Sequence, residues 1–230
     1  MKGLVKPIEK CTEKEISAMY ALMTEFYDNM DEDVFRRDFS DKDYCLVLYD
    51  EETLVGFTTQ KVMSVTVDGR EIHGMFSGDT IIHKDHWGEI ELFKVWANFW
   101  FDYAEKYGEF YWFLICKGYK TYRILPAFWK EFYPNRQTDT PEYEQKIINA
   151  YASLLYPEEY NPDTGVIEYK HVKDKLRSGV ADVDSHRIKN KDIAFFCNAN
   201  PGHTDGNDLA CLARIDKGYL KKRVPELLFR

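Results

Sequence analysis

The chain has 230 residues, 44% of them hydrophobic and 16% aromatic, with a formal net charge of −8 and a pI near 5.3. It is long enough to bury a substantial core, and its acidity excludes the broad basic face that a nucleic-acid partner demands. It has neither an apolar run of about eighteen residues to span a bilayer nor a signal-peptide pattern at its start, so no membrane partner is expected and the expected location is cytoplasmic.

Thr12-Glu13-Lys14-Glu15 has the form of a capping box, in which a hydroxyl and a carboxylate satisfy the free amides of a first helical turn. Ile16, Met19, Tyr20, Met23, Phe26, Tyr27 and Met30 follow at helical spacing, which predicts an amphipathic helix as the first element. Residues 34–39 add a short helix or turn, and the apolar run 44–49 predicts a buried strand. Asp50-Glu51-Glu52-Thr53 turns the chain into residues 54–67, and Asp68-Gly69 then gives a two-residue hairpin signal. Three consecutive antiparallel strands are expected, the third running through Phe76 to Ile82.

After Gly88 the apolar period changes to 3.6, with Leu92, Val95, Trp96, Phe99 and Tyr103 on one face and Gly108 as the stop. Residues 110–116 form a continuous apolar run, as in a strand buried on both faces. Residues 119–133 read as a helix interrupted at Pro126, where a backbone donor is lost. The more polar stretch that follows holds one helix at 142–156 and a short β-like piece at 166–169. Residues 193–197 and 209–215 read as strands of a terminal hairpin, separated by Asn-Pro-Gly and Asp-Gly-Asn turn chemistry. The expected organisation is a core at 1–134, an insertion or subdomain at 135–191, and at 192–230 a hairpin completing the sheet, plus a tail.

All five tryptophans precede residue 130, which places the expected catalytic core in the N-terminal part. The five cysteines form no CxxC pair and sit mostly in apolar runs, so reduced, buried thiols are expected. The six histidines lack zinc spacing and no metal is expected. The most informative stretch is residues 76–90, a strand that opens through a short polar turn onto a helix N-terminus. Unpaired amides and the positive end of the helix dipole converge at such a junction, where a phosphate or pyrophosphate docks without needing a lysine.

This order of elements resembles the GNAT acyltransferase superfamily over roughly residues 1–134 and 192–216. The resemblance implies an α+β fold: a GNAT-like, mostly antiparallel central sheet flanked by helices, with a helical insertion before the C-terminal hairpin. In that superfamily the loop before the central helix carries Q/R-x-x-G-x-G/A, whose glycines let the backbone approach the pyrophosphate of coenzyme A. With Gly88 as the first glycine, Asp85 stands in place of Gln/Arg and Ile90 in place of the second glycine; in the neighbouring register Ile90 and Leu92 fall on the glycine positions. A side chain at a close-approach position obstructs phosphate. Three readings therefore stay open: an N-acyltransferase that moves an acyl group from acetyl-CoA or another acyl-CoA to a small-molecule amine by direct attack, one whose donor rides on an acyl carrier protein, and a non-catalytic GNAT-fold ligand-binding protein that has lost the donor cradle.

The resemblance assigns donor contacts to Ile81, Ile82, His83, Trp87, Gly88, Glu89 and Ile90, with backbone N–H groups around Ile81 and Ile82 polarising the thioester carbonyl. Asp79 interrupts a β-favouring run and is the candidate base, the structural reading being a carboxylate that caps a bulge beside Gly78 or pairs with a buried base. Tyr122 is the candidate acid for the leaving thiolate, against a packing role in a chain with sixteen tyrosines. His83 and His86 flank the loop as further bases or phosphate contacts. The polar segment 198–208 is a candidate wall of an acceptor pocket or a solvated hairpin loop.

Overall fold

The computed structural model describes residues 1–171 and 174–229. In chain order its elements are β1 (Lys2–Pro7), α1 (Glu13–Phe26), β2 (Tyr27–Asp28), α2 (Glu32–Ser40), β3 (Tyr44–Asp50), β4 (Thr53–Val67), β5 (Arg70–Ile82), α3 (Glu91–Ala104), β6 (Phe110–Cys116), α4 (Tyr119–Tyr122), α5 (Ile124–Phe128), α6 (Glu142–Leu155), β7 (Tyr160–Asn161), β8 (Val166–Ile167), β9 (Lys175–Leu176), α7 (Lys191–Ala199), β10 (Asp208–Arg214) and α8 (Val224–Leu228). Eight strands form one sheet in the order β1-β3-β4-β5-β6-β10-β8-β7, and β2 pairs with β9 alone. Every neighbouring pair in the large sheet is antiparallel except β5 and β6, which α3 joins by a crossover. The fold is α+β, with a mostly antiparallel sheet flanked by helices.

Alternation along each strand decides which face it fills. On β6, Phe110, Trp112, Leu114 and Cys116 join Trp96, Trp100 and Trp129 on the α3 side, whereas Tyr111 and Phe113 pack with Ile147, Ile148 and Tyr151 of α6 on the other. On β3, Leu46 and Leu48 share the α3 core, while Cys45 and Val47 join Met19, Met23, Phe35 and Phe57 beneath α1 and α2. Burying one such large side chain stabilises the fold by about 1.5–3 kcal/mol, so a register slip in β6 would forfeit both cores at once. The capping box at α1 forms as expected, with the Glu15 amide donating to Thr12 Oγ1 and the Thr12 amide to Glu15 Oε2. Among the described residues no helix is long and apolar enough to cross a membrane.

Several elements differ from the sequence reading: the interruption expected at Pro126 falls instead between α4 and α5, at Arg123, with Pro126 inside α5, and the β2–β9 pair was not expected. The chain starts with a strand rather than with the α1 helix: β1 pairs antiparallel with β3 at the sheet edge, and Lys6 is held by the Glu15 carboxylate of α1 at 2.6 Å. Its short, mixed composition carries no strong alternation. Residues 193–197 are helical instead of a hairpin strand, because Asn190 caps α7 by accepting from the amides of Asp192 and Ile193, and Ile193 and Phe196 bury a face at i,i+3 spacing. The partners of β10 are therefore β6 and β8.

Candidate functional site

The sheet opens at one place. β5 pairs with β6 from His73↔Phe110 to Ser77↔Leu114 and no further, while β5 continues to Ile82 along β4. The divergence coincides with a bulge, since Gln60 faces Ser77 and Thr58 faces Thr80, leaving Gly78 and Asp79 opposite Thr59 alone. Glycine suits this position because a Cβ there would lie 2.6 Å from Thr59 Oγ1 and 2.9 Å from Lys42 Cε. Beyond Ser77, the edge of β5 that faces β6 has no strand partner among the described residues, and the gap leads into a cavity of about 690 Å³ lined by side chains from both faces of the sheet.

A buried polar network holds the sheet where the gap begins. Gln60, fully buried, donates from Nε2 to Thr58 Oγ1 at 2.7 Å and accepts at Oε1 from Ser77 Oγ at 2.9 Å and Trp96 Nε1 at 3.3 Å. Trp112 Nε1 donates to Ser77 Oγ at 2.8 Å. The network links β4, β5 and β6 to α3 across the point of divergence.

Between β5 and α3 the loop wraps the mouth of the cavity. Trp87 is anchored by its indole N–H to the Ile82 carbonyl at 2.9 Å and carries Lys120 Nζ 3.4 Å from the centre of its ring, so it spans the gap from β5 to α4. Gly88 has φ of +100°, and a Cβ there would meet nothing within 4 Å, so the backbone is open on that side. Ile90 caps α3 with no side-chain hydrogen bond, and the amides of Glu91, Leu92 and Phe93 have no acceptor among the described residues. This end is ready for an anion, although Glu89 lines the same mouth. For an anionic donor, Glu89→Gln is expected to lower the dissociation constant about threefold, measured by calorimetric titration at low salt, because one repulsive charge is removed.

The far end of the cavity is acidic and phenolic. Asp38, Asp79, Asp174 and Asp208 line it together with Tyr27, Tyr156 and Tyr169. Asp208 is 1% exposed; its Oδ2 accepts from Lys117 Nζ at 3.0 Å and from Tyr169 Oη at 2.9 Å. Lys117 also donates to the Gly206 carbonyl at 2.9 Å and lies 3.6 Å from Asp174. Burial first, and then the surrounding aspartates, push the Tyr27, Tyr156 and Tyr169 phenols far above their usual range, so all three stay protonated.

Of the residues singled out from the sequence, Asp79, Ile81, Ile82, Trp87, Gly88, Glu89 and Ile90 all line this cavity. His83 does not. Its ring lies 3.6 Å from Glu25 and 3.7 Å from Asp85, and its Nδ1 accepts from the Asp85 amide, which turns it away from the opening. Tyr122 is also turned away: it is 1% exposed, packs on Phe195 and Phe196 of α7, and donates its hydroxyl to the Pro134 carbonyl at 3.0 Å. So placed, Tyr122 is not among the residues that line the cavity. Tyr122→Phe is expected to leave turnover within about twofold while costing about 1 kcal/mol of stability, read by parallel rate assays and denaturant melts. Asp38, Asp174, Tyr27, Tyr156 and Tyr169 were not legible as site residues, since they come from separate elements that only the fold brings together; Asp208 ends the polar segment 198–208.

The parallel β5–β6 pair that parts at a bulge, with a loop and helix N-terminus at its mouth, settles the architecture. That arrangement resembles a GNAT fold. No protein-family model matches the sequence, and no curated protein does. Solved structures do match. A probable N-acyltransferase of unknown function from Enterococcus faecalis is 16% identical, with a TM-score of 0.42, over 54% of this chain and 32% of that one. An acyl-CoA N-acyltransferase from Pseudomonas aeruginosa is 16% identical, TM-score 0.41, over 55% of this chain and 87% of that one. NAA60 of Arabidopsis thaliana, crystallised with a bisubstrate analogue, is 12% identical, TM-score 0.41, over 57% of this chain and 86% of that one. Each overlap takes in little more than half of this chain.

Proposed function

We propose that the chain is an N-acyltransferase that takes an acyl group from an acyl-CoA thioester and passes it to the amine of a small molecule. The observation that carries the reading is the cavity through the sheet at the β5–β6 gap, with an anion-ready helix end at one mouth and carboxylates at the other. The donor's diphosphate fits the Gly88 turn and the free amides of Glu91, Leu92 and Phe93. Its thioester arm fits the gap, where unpaired backbone of β5 around Ile81 and Ile82 polarises the carbonyl. The aromatic walls supplied by Phe93, Trp96, Trp112 and Phe128 keep this side apolar and dry.

The acceptor enters from the aspartate side. Its neutral amine attacks the thioester carbonyl, a C–N bond forms, and the C–S bond breaks. Asp79, directly or through a water, takes the proton lost by nitrogen and returns it to the thiolate sulfur, so proton balance closes without Tyr122. No covalent link to the enzyme is needed.

The reading is tested by melting the protein with acetyl-CoA and with longer acyl-CoAs. A donor at a hundred times its dissociation constant stabilises by about 2.7 kcal/mol, which raises the melting temperature by about 5–10 °C for a chain of this size. A melting point unchanged by every donor would contradict it.

A further inference from the structure

The α3 side of the cavity offers more apolar wall than a short acyl group can cover. Every residue that α3, β6 and α5 contribute to the lining is aliphatic or aromatic, among them Phe93 and Trp96, Trp112 and Leu114, and Ile124 and Phe128. The charged residues of the lining come from other segments: Glu89 and Lys120 at the mouth, the aspartates and Lys117 at the far end. Even the two indole N–H groups of this wall are spent inside the protein, Trp96 on Gln60 Oε1 at 3.3 Å and Trp112 on Ser77 Oγ at 2.8 Å. The side chains from α3, β6 and α5 thus present hydrocarbon and aromatic faces, with no free donor or acceptor, to whatever fills the space.

A second observation is that this wall is incompletely covered. Ile82, Phe93, Ile124 and Phe128 pack against the core yet are only half-buried, and all four line the cavity. Apolar surface left open in this way is stabilised by an apolar occupant. Water is a poor substitute, because a confined water needs two or more polar partners. The space is also large: an apolar cavity of about 150 Å³ holds a molecule the size of benzene, whereas this one measures about 690 Å³. An acetyl group, with one methyl beyond its carbonyl, leaves this wall largely bare. The thioester arm of coenzyme A does not cover it either, since the arm's amides need hydrogen-bond partners. The edge of β5 that faces the gap around Ile81 and Ile82 offers them, and the wall does not.

We infer that the donor carries a medium or long acyl chain, of about eight carbons or more, whose hydrocarbon lies against Phe93, Ile124 and Phe128 in the pocket between α3, β6 and α5. This rests on the transferase reading and names its donor class. A chain placed there leaves the aspartate end of the cavity free for the acceptor.

Coenzyme A and its acetyl, butyryl, octanoyl and decanoyl thioesters share one headgroup and arm and differ only in the chain. Their binding is measured by calorimetry at several temperatures, at concentrations below those at which they form micelles. Each methylene that enters the pocket is expected to tighten binding about threefold. Octanoyl-CoA is therefore expected to bind about a hundredfold more tightly than acetyl-CoA, with a heat-capacity change that grows more negative along the series. Ile124→Trp, which fills the pocket from α5, is expected to lower the octanoyl-to-acetyl affinity ratio about tenfold; Ile124→Phe is a milder variant with the same direction. The wild-type series decides the inference by itself if neither variant folds. An octanoyl-to-acetyl ratio below about tenfold, or a ratio that a folded Ile124→Trp leaves unmoved, would overturn the inference and keep the transferase reading. Failure of coenzyme A and of every thioester to bind would remove the transferase reading, and the donor class with it.

Discussion

Asp79→Asn is expected to lower kcat about a hundredfold while changing the donor dissociation constant by less than about twofold. General base catalysis by a positioned side chain contributes about 10²–10⁴ to rate, and Asp79 is the carboxylate carried by the bulge at the gap itself. The substitution keeps shape and removes basicity. The proposed diphosphate contacts lie at the other mouth, on the Gly88 turn and the first turn of α3, so the substitution leaves them untouched. Rates at saturating donor together with donor titrations separate the two effects, because a loss confined to kcat marks an interaction made in the transition state. Wild-type turnover in Asp79→Asn would remove Asp79 from the chemistry.

Gln60→Leu is expected to cost about 2–5 kcal/mol of stability and lower the melting temperature by about 5–15 °C. The amide is fully buried and serves three partners, Thr58, Ser77 and Trp96. Leucine fills the space but takes away the acceptor of the Ser77 hydroxyl and the Trp96 indole N–H, and each stranded donor costs about 1–3 kcal/mol. Because the same contacts join β4 to α3 where β5 leaves β6, donor affinity is expected to fall with stability. Thermal melts with and without acetyl-CoA measure both; a melting point within about 2 °C of the wild type would contradict the network's role.

The periodicities that fixed α1, α3, α6 and the long β4–β5 hairpin were strong because each element buries one face and exposes the other. The Asp68-Gly69 turn, both of whose residues have positive φ, set that hairpin's register. The misreading of 193–197 came from β-favouring composition in so short a run, where the Asn190 cap decided for helix. Strand β1 escaped notice because an edge strand half exposed to solvent carries little pattern. The mouth beside α3 was legible since Gly88 and the strand-to-helix junction are local features. The acidic end was not, because Asp38, Asp174 and Asp208 lie far apart in sequence and line one cavity only in the folded chain. Tyr122 was chosen from its distance after β6, a criterion blind to the side of the helix on which the ring falls.

The central claim is that a thioester donor threads the gap between β5 and β6. A crystal structure with a non-hydrolysable acyl-CoA analogue tests it most directly. The account predicts the diphosphate on the amides of Gly88 and the first turn of α3, and the acyl carbonyl beside the unpaired β5 backbone, facing Asp79. Ligand bound elsewhere on the surface, or a gap closed by Ile90 and Trp87 with no ligand in it, would contradict the account.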